Sequence, residues 1–260
     1  MKVLNRIIGF SAVFCVLCIL FSLFFPGNIR FVDNIRLFFQ KPLVRWAGKI
    51  HIKPVVSEDI DINFDELRDF IKDLPPGSIF FTRTRNYPLC ELIPGEWKHS
   101  GVFLGTKAQM ASHIDTSGAL YRTLDTLMNS IDIYVLDSQS DGVSVHPIQE
   151  LSNLNESSCL THFAAFAFNG RLRQRGDFIG KALSFSGVAY DYDWITEDPG
   201  TVFCSELLYH SLRAVGLHVK NRTKTISRTI ITPDDLFRYL KLYAGKRKMF
   251  TFYGSISKQK

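Results

Sequence analysis

The sequence predicts an α+β fold, in which helices pack against a largely antiparallel sheet, behind an N-terminal transmembrane helix. Three observations support this prediction: an uncharged apolar run near the N-terminus, a series of short strand-like segments, and helices gathered mainly at the two ends of the remaining chain. Strands that alternated regularly with helices would instead have indicated a parallel sheet.

Composition restricts the class of protein. The chain has 260 residues, of which 46% are hydrophobic and 22% charged, so we expect one sizeable core and exclude a disordered chain. Five cysteines are an odd and sparse set, which excludes a dense disulfide framework. The net charge of +6 favours acidic partners: an anionic membrane surface, nucleic acid or another anionic polymer. The basic cluster at 246–248 is too short to read nucleic acid, so we expect no such partner.

Residues 1–28 are predicted to form a membrane anchor. Ile7–Phe25 contains no charged residue, and a helix of this length is about 28 Å long, close to the hydrocarbon thickness of a bilayer. The segment has no polar face, unlike a buried core helix, and Phe24 to Asn28 do not resemble a signal-peptidase site. Basic residues are more numerous after the apolar run, which by itself favours a cytoplasmic C-terminal domain. Exported proteins with a signal anchor begin in the same way, so the membrane side stays open.

Residues 29–58 are predicted to form a basic juxtamembrane segment. Ile29–Lys49 combines aromatic and aliphatic residues with five basic ones, a composition typical of a segment on anionic headgroups. Pro42 is expected to prevent this segment from forming a single helix. A first element that packs on the following domain is an equally good interpretation.

Residues 59–260 are predicted to form the globular domain. Asn63 and Glu66 have the spacing of a capping box, and apolar residues from Phe64 to Leu74 then recur at helical spacing until Pro75. Later helices are expected at Gln174–Phe185, at Ser205–Val215, and after Thr232, where Pro233 occupies the first helical position. The predicted strands are Ser78–Thr82, His99–Leu104, Ile131–Leu136, Val143–Val145, Thr161–Phe168 and, as a candidate to close the sheet, Met249–Tyr253.

Cys204 is a candidate nucleophile because it lies where an extended segment turns into an amphipathic helix. Free backbone N–H groups and the positive end of the helix dipole favour a thiolate there. The same N–H groups can stabilise an oxyanion after the sulfur attacks a carbonyl. A small buried hydrophobic residue is an equally good interpretation of this motif alone.

A cysteine nucleophile needs a base and an acceptor that orients the base. His99 begins a strand whose continuation is apolar, and it is the candidate base. Asp137 ends the next predicted strand and is the candidate acceptor, whereas Asp141 in the following turn is the weaker choice. Tyr190 precedes the Cys204 helix and either donates its hydroxyl to the oxyanion or simply packs there.

The remaining candidate sites lack the required patterns. The other histidines show no metal-ligand spacing, so we expect neither a metal nor a cofactor. The acidic run from Asp191 to Asp198 lacks the regular alternation of a calcium loop. Cys15 and Cys18 lie inside the apolar span, where we expect no redox or metal role. Cys90 and Cys159 would be able to pair in an exported domain if the fold brought them together.

Several motifs that occur in one order give a more specific indication. They are Pro76–Arg83, Trp97–Gly105, Tyr134–Asp137, Asp141–Pro147, Gly187–Asp191 and Phe203–Leu207. In these motifs the chain resembles the permuted papain-like amidases of the YaeF/YiiX type, a branch of the NlpC-like cysteine hydrolases, over about Leu74 to Leu217. The resemblance implies a papain-like fold in which the histidine strand precedes the cysteine helix. Ser78 and Asp137 differ from the acidic residue and the longer Glu that are usual in the family.

The resemblance implies that Cys204 is the nucleophile, His99 the base and Asp137 the orienting acid. It implies an enzyme that hydrolyses amide bonds, in cell-wall peptides or in lipid-linked amides, through a thiol acyl-enzyme. This interpretation favours the periplasmic or outer face of the membrane, against the charge distribution. A lipid acyltransferase or lipid hydrolase with the same Cys–His site, and a papain-like interaction module without catalysis, are the alternatives.

Overall fold

The computed structural model describes residues 2–25, 28–48, 50, 61–85, 87, 93–155, 158–192, 200–225, 228–244 and 249–258. The helices are α1 (Lys2–Phe24), α2 (Arg30–Gly48), α3 (Phe64–Ile71), α4 (Lys107–His113), α5 (Ala119–Leu127), α6 (Leu172–Leu183), α7 (Cys204–Ala214) and α8 (Pro233–Tyr239). The strands are β1 (Ser78–Thr84), β2 (His99–Gly105), β3 (Tyr134–Gln139), β4 (Gly142–Pro147), β5 (Leu160–Phe168), β6 (Thr223–Thr225), β7 (Arg228–Ile230) and β8 (Phe250–Ser257).

The main sheet is antiparallel throughout, which confirms the predicted α+β class. Its six strands lie in the order β4-β3-β2-β1-β5-β8, and β6 and β7 form a separate hairpin. The C-terminal segment does close the sheet, because β8 pairs with β5 from Phe168 to His162. The sheet therefore places the strand that begins at His99 directly beside the strand that contains Asp137.

Alternate residues of the strands support two separate apolar cores. One face packs against α6, α7 and α8 through residues such as Phe81, Leu104 and Leu207. The other face packs against α3 through residues such as Phe80 and Phe103. A strand with both faces covered is expected to be almost continuously apolar. The run Ile79-Phe80-Phe81 in β1 fits this rule, since all three side chains are fully buried.

The capping box predicted at the start of α3 is present. The side chain of Asn63 accepts a hydrogen bond from the Glu66 N–H at 2.9 Å, and the Glu66 carboxylate accepts one from the Asn63 N–H at 3.1 Å. Thr232 caps α8 in the same way, with Pro233 in its first turn. The two predicted helix starts, at Asn63 and Thr232, are therefore both present.

Two sequence predictions about element bounds are wrong. The strand expected from Ile131 begins instead at Tyr134, because the Asn129 side chain accepts hydrogen bonds from the Ile131 and Asp132 N–H groups and forms a turn. Pro42 does not prevent a helix, since α2 is continuous from Arg30 to Gly48. Proline removes only one backbone donor, and the carbonyl affected belongs to Phe38 on an exposed part of the helix, where water or headgroups can replace the lost bond.

The N-terminal helices differ from the rest of the molecule. Residues Arg6–Phe24 of α1 are long and apolar enough to cross a membrane, and most of their side chains are exposed. Helix α2 packs against α1 and also contacts the domain, where the Gln40 side-chain amide donates to the Tyr192 carbonyl at 2.8 Å. One side of α2 therefore contacts the domain. The predicted domain boundary at Asp59 lies outside the described residues.

Candidate active site

The His99–Asp137 pair follows directly from the register of β2 and β3. Asp137 lies opposite Gly101, and His99 is two residues before Gly101, so both side chains project from the same face of the sheet. The His99 Nε2 atom lies 2.9 Å from Asp137 Oδ2. The structure thus joins the predicted base to the predicted orienting acid.

Gly101 makes room for this carboxylate. A Cβ atom at position 101 would lie 2.8 Å from the Asp137 Cβ and 2.6 Å from the ring of Phe80, closer than real Cβ contacts. Phe80 in turn lies beside the His99 ring, with centroids 6.2 Å apart. The absence of a side chain at Gly101 therefore lets Asp137 lean diagonally across the sheet toward His99.

A second histidine contacts the same carboxylate from the opposite side. His146 on β4 lies opposite Val135, which places it diagonally from Asp137, and its Nε2 lies 3.0 Å from Asp137 Oδ1. Its other ring nitrogen, Nδ1, lies 3.1 Å from the Pro147 carbonyl oxygen. Three adjacent strands thus supply a His–Asp–His row with the carboxylate in the centre. The short Asp137 side chain reaches both histidines.

Only one of the two histidines can meet a substrate. The side chain of His99 is 19% exposed, whereas that of His146 is 8% exposed and that of Asp137 is fully buried. Because Nε2 of His99 faces Asp137, Nδ1 is the nitrogen that remains for the Cys204 thiol, with which His99 also interacts. His99 is therefore placed for proton transfer, and His146 for holding Asp137.

The charges of this cluster support one another. Burial acts to lower the pKa of His99, but the interactions with the Asp137 carboxylate and with Cys204 outweigh it, so the pKa is raised well above its usual value. The pKa of His146 is also raised, since its pairing with Asp137 exceeds the effect of burial. For Asp137, burial opposes ionisation, yet the charges of His146 and His99 hold the pKa of the carboxyl far below its usual range. The arrangement favours an imidazolium at His99 and a carboxylate at Asp137 at neutral pH.

Cys204 is the first residue of α7, and the segment before it is firmly held. The Val202 carbonyl accepts a hydrogen bond from the Ser138 hydroxyl at 2.7 Å, and the Val202 N–H donates to the Ala189 carbonyl at 3.1 Å. Ser138 directly follows Asp137 in β3, and α7 packs against β2 and β3. The strand of the orienting acid and the helix of the thiol are thereby fixed relative to each other.

The start of α7 has its own anchors. The Phe203 N–H donates to the carboxylate of the buried Glu206 at 3.3 Å, which is one half of a capping box. The Ser205 hydroxyl donates to the Ile231 carbonyl at 2.9 Å. Cys204 lies between these anchored residues with 4% of its surface exposed. Its position at the helix N-terminus agrees with the sequence prediction.

The backbone that precedes His99 is fixed by the start of α8. The carboxylate of Asp234 accepts hydrogen bonds from the Glu96 N–H at 3.1 Å and the Trp97 N–H at 2.8 Å. The Trp97 ring also stacks on Phe237 of α8, with centroids 5.0 Å apart. The N-terminal end of β2 is therefore tied to the C-terminal part of the domain, and His99 begins from a fixed backbone.

The structure separates the two candidates for the orienting acid. Asp141 lies in the exposed turn between β3 and β4, where it pairs with Arg45 of α2 at 2.8 Å. Asp137 instead makes the contacts with His99. Tyr190 packs against the core, with its ring 5.1 Å from that of Tyr192, so the packing expected for it is present. The role of its hydroxyl at the oxyanion stays a prediction.

Cys18 and Cys159, which lie within the described part of the chain, are not members of this cluster. Among the described residues, no group of three or more His, Cys, Asp or Glu side chains is arranged to hold a metal ion. Cys18 is buried against α2, and the Cys159 thiol donates to the Ser152 carbonyl. Cys90, Asp193, Glu197, Asp198 and the basic cluster 246–248 lie outside the described residues.

Sequence reasoning missed His146, although a signal for it exists. A two-residue turn at Ser140 and Asp141, followed by Gly142, fixes the register of the β3–β4 hairpin. That register places residue 146 opposite residue 135 and therefore diagonal to Asp137. Metal-ligand spacing among the histidines does not reveal this contact, because it depends on the hairpin register.

Comparisons with known proteins identify a family. A family model described as permuted papain-like amidase enzyme, YaeF/YiiX, C92 family, matches residues 73–248. A search of curated proteins found no match. One similar solved structure is described as the metalloprotein yiiX from Escherichia coli O157:H7, with 15% identity over 72% of this chain and 98% of that chain and a TM-score of 0.45. The family assignment depends on the sequence model, not on this distant structural likeness.

Proposed function

We propose, since the chain belongs to the permuted papain-like amidase family of the YaeF/YiiX type, that it is a membrane-anchored cysteine hydrolase that cleaves amide bonds through an acyl-enzyme on Cys204. The observation that supports this most directly is the position of His99, which interacts with Asp137 on one side and with Cys204 on the other. These contacts are the relations that a nucleophile, a base and an orienting acid require.

The first half of the proposed reaction forms the acyl-enzyme. The Cys204 sulfur attacks the amide carbonyl, which forms the S–C bond and places a negative charge on the carbonyl oxygen. The imidazolium of His99 then gives its proton to the departing nitrogen as the C–N bond breaks. Asp137 and His146 keep the His99 ring oriented during this transfer.

The second half returns the free enzyme. Neutral His99 takes a proton from water, whose oxygen attacks the thioester carbon and breaks the S–C bond. The products are a carboxylic acid and the restored thiolate–imidazolium pair. The oxyanion in both halves is expected to bind N–H groups at the start of α7, which have no acceptor within the helix, and the hydroxyl of Tyr190.

Membrane attachment forms part of the proposal. The α1 segment has the length and composition of an anchor, and the net charge of +6 favours an anionic membrane surface as partner. The substrate is then a peptide amide or a lipid amide within reach of the membrane. A phosphatase fused to the C-terminus tests the side: an active fusion places the domain outside, and an inactive one excludes a cell-wall substrate.

The full-length protein in detergent should be incubated with a mixed panel of peptidoglycan fragments and acylated lipids, and the products identified by mass. Hydrolysis releases an acid and an amine, whereas transfer to a lipid acceptor adds the acyl mass to that lipid. Cys204→Ala is the control. Products that appear equally with this variant would contradict the proposed mechanism, and no product from either would favour an interaction module.

A further inference from the structure

Helix α2 has an exposed apolar side and a polar side that faces the rest of the protein. Phe31, Phe38, Phe39 and Trp46 are between 51% and 74% exposed, and at 100° per residue they lie within one broad face of the helix. Asp33 and Arg36 lie on the other side and are buried. This is the reverse of a helix that packs its apolar side onto a core.

The polar side forms a chain of hydrogen bonds between α1 and the domain. Ser22, fully buried in the last turns of α1, donates to Asp33 and accepts from Arg36 Nε at 2.8 Å. Arg36 donates to the Gln40 side-chain oxygen at 2.6 Å, and the Gln40 amide reaches the Tyr192 carbonyl. The orientation of α2 is therefore fixed to both the predicted span and the domain.

The part of the domain that α2 contacts adjoins the candidate active site. Tyr192 is three residues after Ala189, whose carbonyl accepts from Val202, two residues before the nucleophile. The Arg45 guanidinium pairs with Asp141 at 2.8 Å, in the turn that follows the Asp137 strand. The Tyr192 hydroxyl donates to the Ser140 carbonyl in the same turn, so both contact points belong to one edge of the site.

We propose that the apolar face of α2 (Phe31, Phe38, Phe39 and Trp46) inserts into the bilayer interface and holds the Cys204 edge of the domain at the lipid surface. Its packing against α1 brings this face to the membrane, and Arg30 and Lys41 complement anionic headgroups. A buried carboxylate, three arginines and a lysine make α2 too polar to cross the membrane itself. The bilayer is thus the occupant of this face.

The inference deepens the proposed function and rests on it: the substrate is an acylated amphiphile presented from the bilayer, not a peptide diffusing in water. An acyl chain can stay in the leaflet while its linkage to the headgroup enters the site. Sulfur attack on that acyl carbon forms the S–C bond and breaks the C–N bond to the headgroup. His99 protonates the headgroup amine, and water then releases the fatty acid.

The position of α2 is tested by fluorescence, without any need for activity. The full-length protein is reconstituted in vesicles of phosphatidylethanolamine and phosphatidylglycerol whose acyl chains are brominated near the headgroup. Trp46 should be strongly quenched, so Trp46→Phe should remove most of the quenchable emission. Trp97→Phe is the matched control, because Trp97 is 5% exposed in the core and should not be quenched. Equal quenching of Trp46→Phe and the parent protein would overturn the insertion.

The substrate class is tested with two probes. Phe38→Ser combined with Phe39→Ser should lower turnover of vesicle-borne N-acyl phosphatidylethanolamine about tenfold or more, a loss expected when apolar contacts with the interface are removed. Turnover of a water-soluble acyl coumarylamide should not change, because neither residue contacts the Cys204 cluster. Ile131→Ser with Leu172→Ser is the control, since these residues are exposed apolar positions on the domain.

The outcomes separate the two levels of the proposal. A parent protein that cleaves the soluble amide but not the vesicle-borne one would overturn the lipid substrate and leave the proposed hydrolase intact. An equal loss of turnover on both probes in the Phe38→Ser, Phe39→Ser variant would also overturn the lipid substrate. Helix α2 would then affect the active site itself and not the access of membrane-borne substrate to it. If the parent protein cleaves neither probe, the proposed amidase activity fails on these amides, and the quenching experiment alone decides the insertion of α2.

Discussion

The N-terminal helix pair and the catalytic domain place the same residue types in opposite environments. In the sheet, Phe80, Phe81 and Phe163 are fully buried. In the helix pair, Phe10 is 77% exposed and Phe38 is 74% exposed, whereas Ser22 and Arg36 are buried. Burial of apolar surface stabilises the domain in water, whereas the helix pair buries several polar side chains and exposes apolar ones. This difference is expected if the helix pair lies at the membrane, as proposed, and the domain lies in water.

The two regions also have different expected roles, catalysis for the domain and attachment to the membrane for the helix pair. The Cys204, His99 and Asp137 side chains belong to elements of the domain whose neighbours hold them through hydrogen bonds. The helix pair contributes none of them, and among the described residues Gln40 and Arg45 form hydrogen bonds with the edge of the site. Changes in the domain should therefore alter the rate of the chemical step, and changes in the helix pair should alter where the reaction occurs.

The largest effect is expected from Cys204→Ala. Removal of the nucleophile should reduce turnover by about 10⁴-fold or more, because no other group can form the acyl-enzyme. The thermal midpoint should change by no more than about 2–4 °C, which corresponds to about 1 kcal/mol for a domain of this size. Calorimetry and turnover measured on one preparation check both parts. Retained activity in the variant would remove Cys204 from the mechanism.

His99→Ala should be nearly as severe as Cys204→Ala, and Asp137→Asn should lose about a hundredfold less activity, since orienting groups cost less when removed singly. The charge of Asp137 helps to raise the pKa of His99, so Asp137→Asn should move the alkaline limb of the kcat/KM profile to lower pH. Parent-like activity and an unmoved limb in Asp137→Asn would assign the orienting role elsewhere.

The free energy of unfolding should depend on pH through the charges of Asp137 and His99. The pKa of Asp137 is lowered on folding, so its carboxylate stabilises the fold above its ordinary pKa and that contribution is lost as the pH falls through the folded value. The pKa of His99 is raised, so its contribution is present in acid and is lost as the pH rises through the folded value. Between these limits both contributions are present. Asp137→Asn should remove this pH dependence from the denaturant midpoint.

His146→Gln should have an intermediate effect of about tenfold on kcat, because residues that orient a catalytic ligand usually contribute 10- to 100-fold. Loss of the nearby cation leaves the Asp137 charge less compensated, which raises the pKa of His99 further and moves the alkaline limb to higher pH. His162→Gln is the matched control, since His162 lies on β5 and contacts Thr161. If the alkaline limb of the kcat/KM profile lies at the same pH in His146→Gln and in the parent protein, His146 contributes only packing.

The smallest effect on chemistry is expected from removal of the helix pair. A chain that begins near Asp59 should be soluble and should cleave a water-soluble substrate at the parent rate, because the Asn63 cap and all strands of the site lie downstream.

Membrane attachment is tested separately. The full-length protein should remain in the membrane during carbonate extraction, because α1 spans the bilayer in the proposal. A chain that begins at Ile29 lacks α1 and should bind anionic vesicles more weakly. Salt should weaken this binding, because each basic residue near the surface contributes about 1 kcal/mol of electrostatic attraction. Extraction of the full-length protein by carbonate would refute the anchor.

Much of the domain was predictable because its signals are local. Alternating and continuous apolar runs indicated the strands, and the Asn63 and Thr232 caps indicated two helix starts. The His99–Asp137 contact followed from two neighbouring strands. Helices α4 and α5 were not predicted, although Thr106 caps α4 through Gln109, a box like that at Asn63.

The less predictable features depend on long-range packing. The anchoring of Val202 by Ser138 joins residues 64 positions apart, and no periodicity contains that information. The continuity of α2 through Pro42 depends on the environment of the Phe38 carbonyl, not on the helix propensity of the segment. The depth at which Asp137 is buried between two histidines likewise required the register of three strands.

The central claim of the proposal is that His99 activates the sulfur of Cys204 for nucleophilic attack, and the rate of alkylation at acidic pH tests it most directly. At about pH 5.5 an ordinary thiol is almost entirely protonated, whereas a thiolate paired with an imidazolium should react on the order of 10²–10³ times faster. We expect iodoacetamide to label Cys204 at this enhanced rate in the parent protein and in Cys159→Ala, and the enhancement to disappear in His99→Ala. Equal rates in the parent protein and His99→Ala would contradict the account.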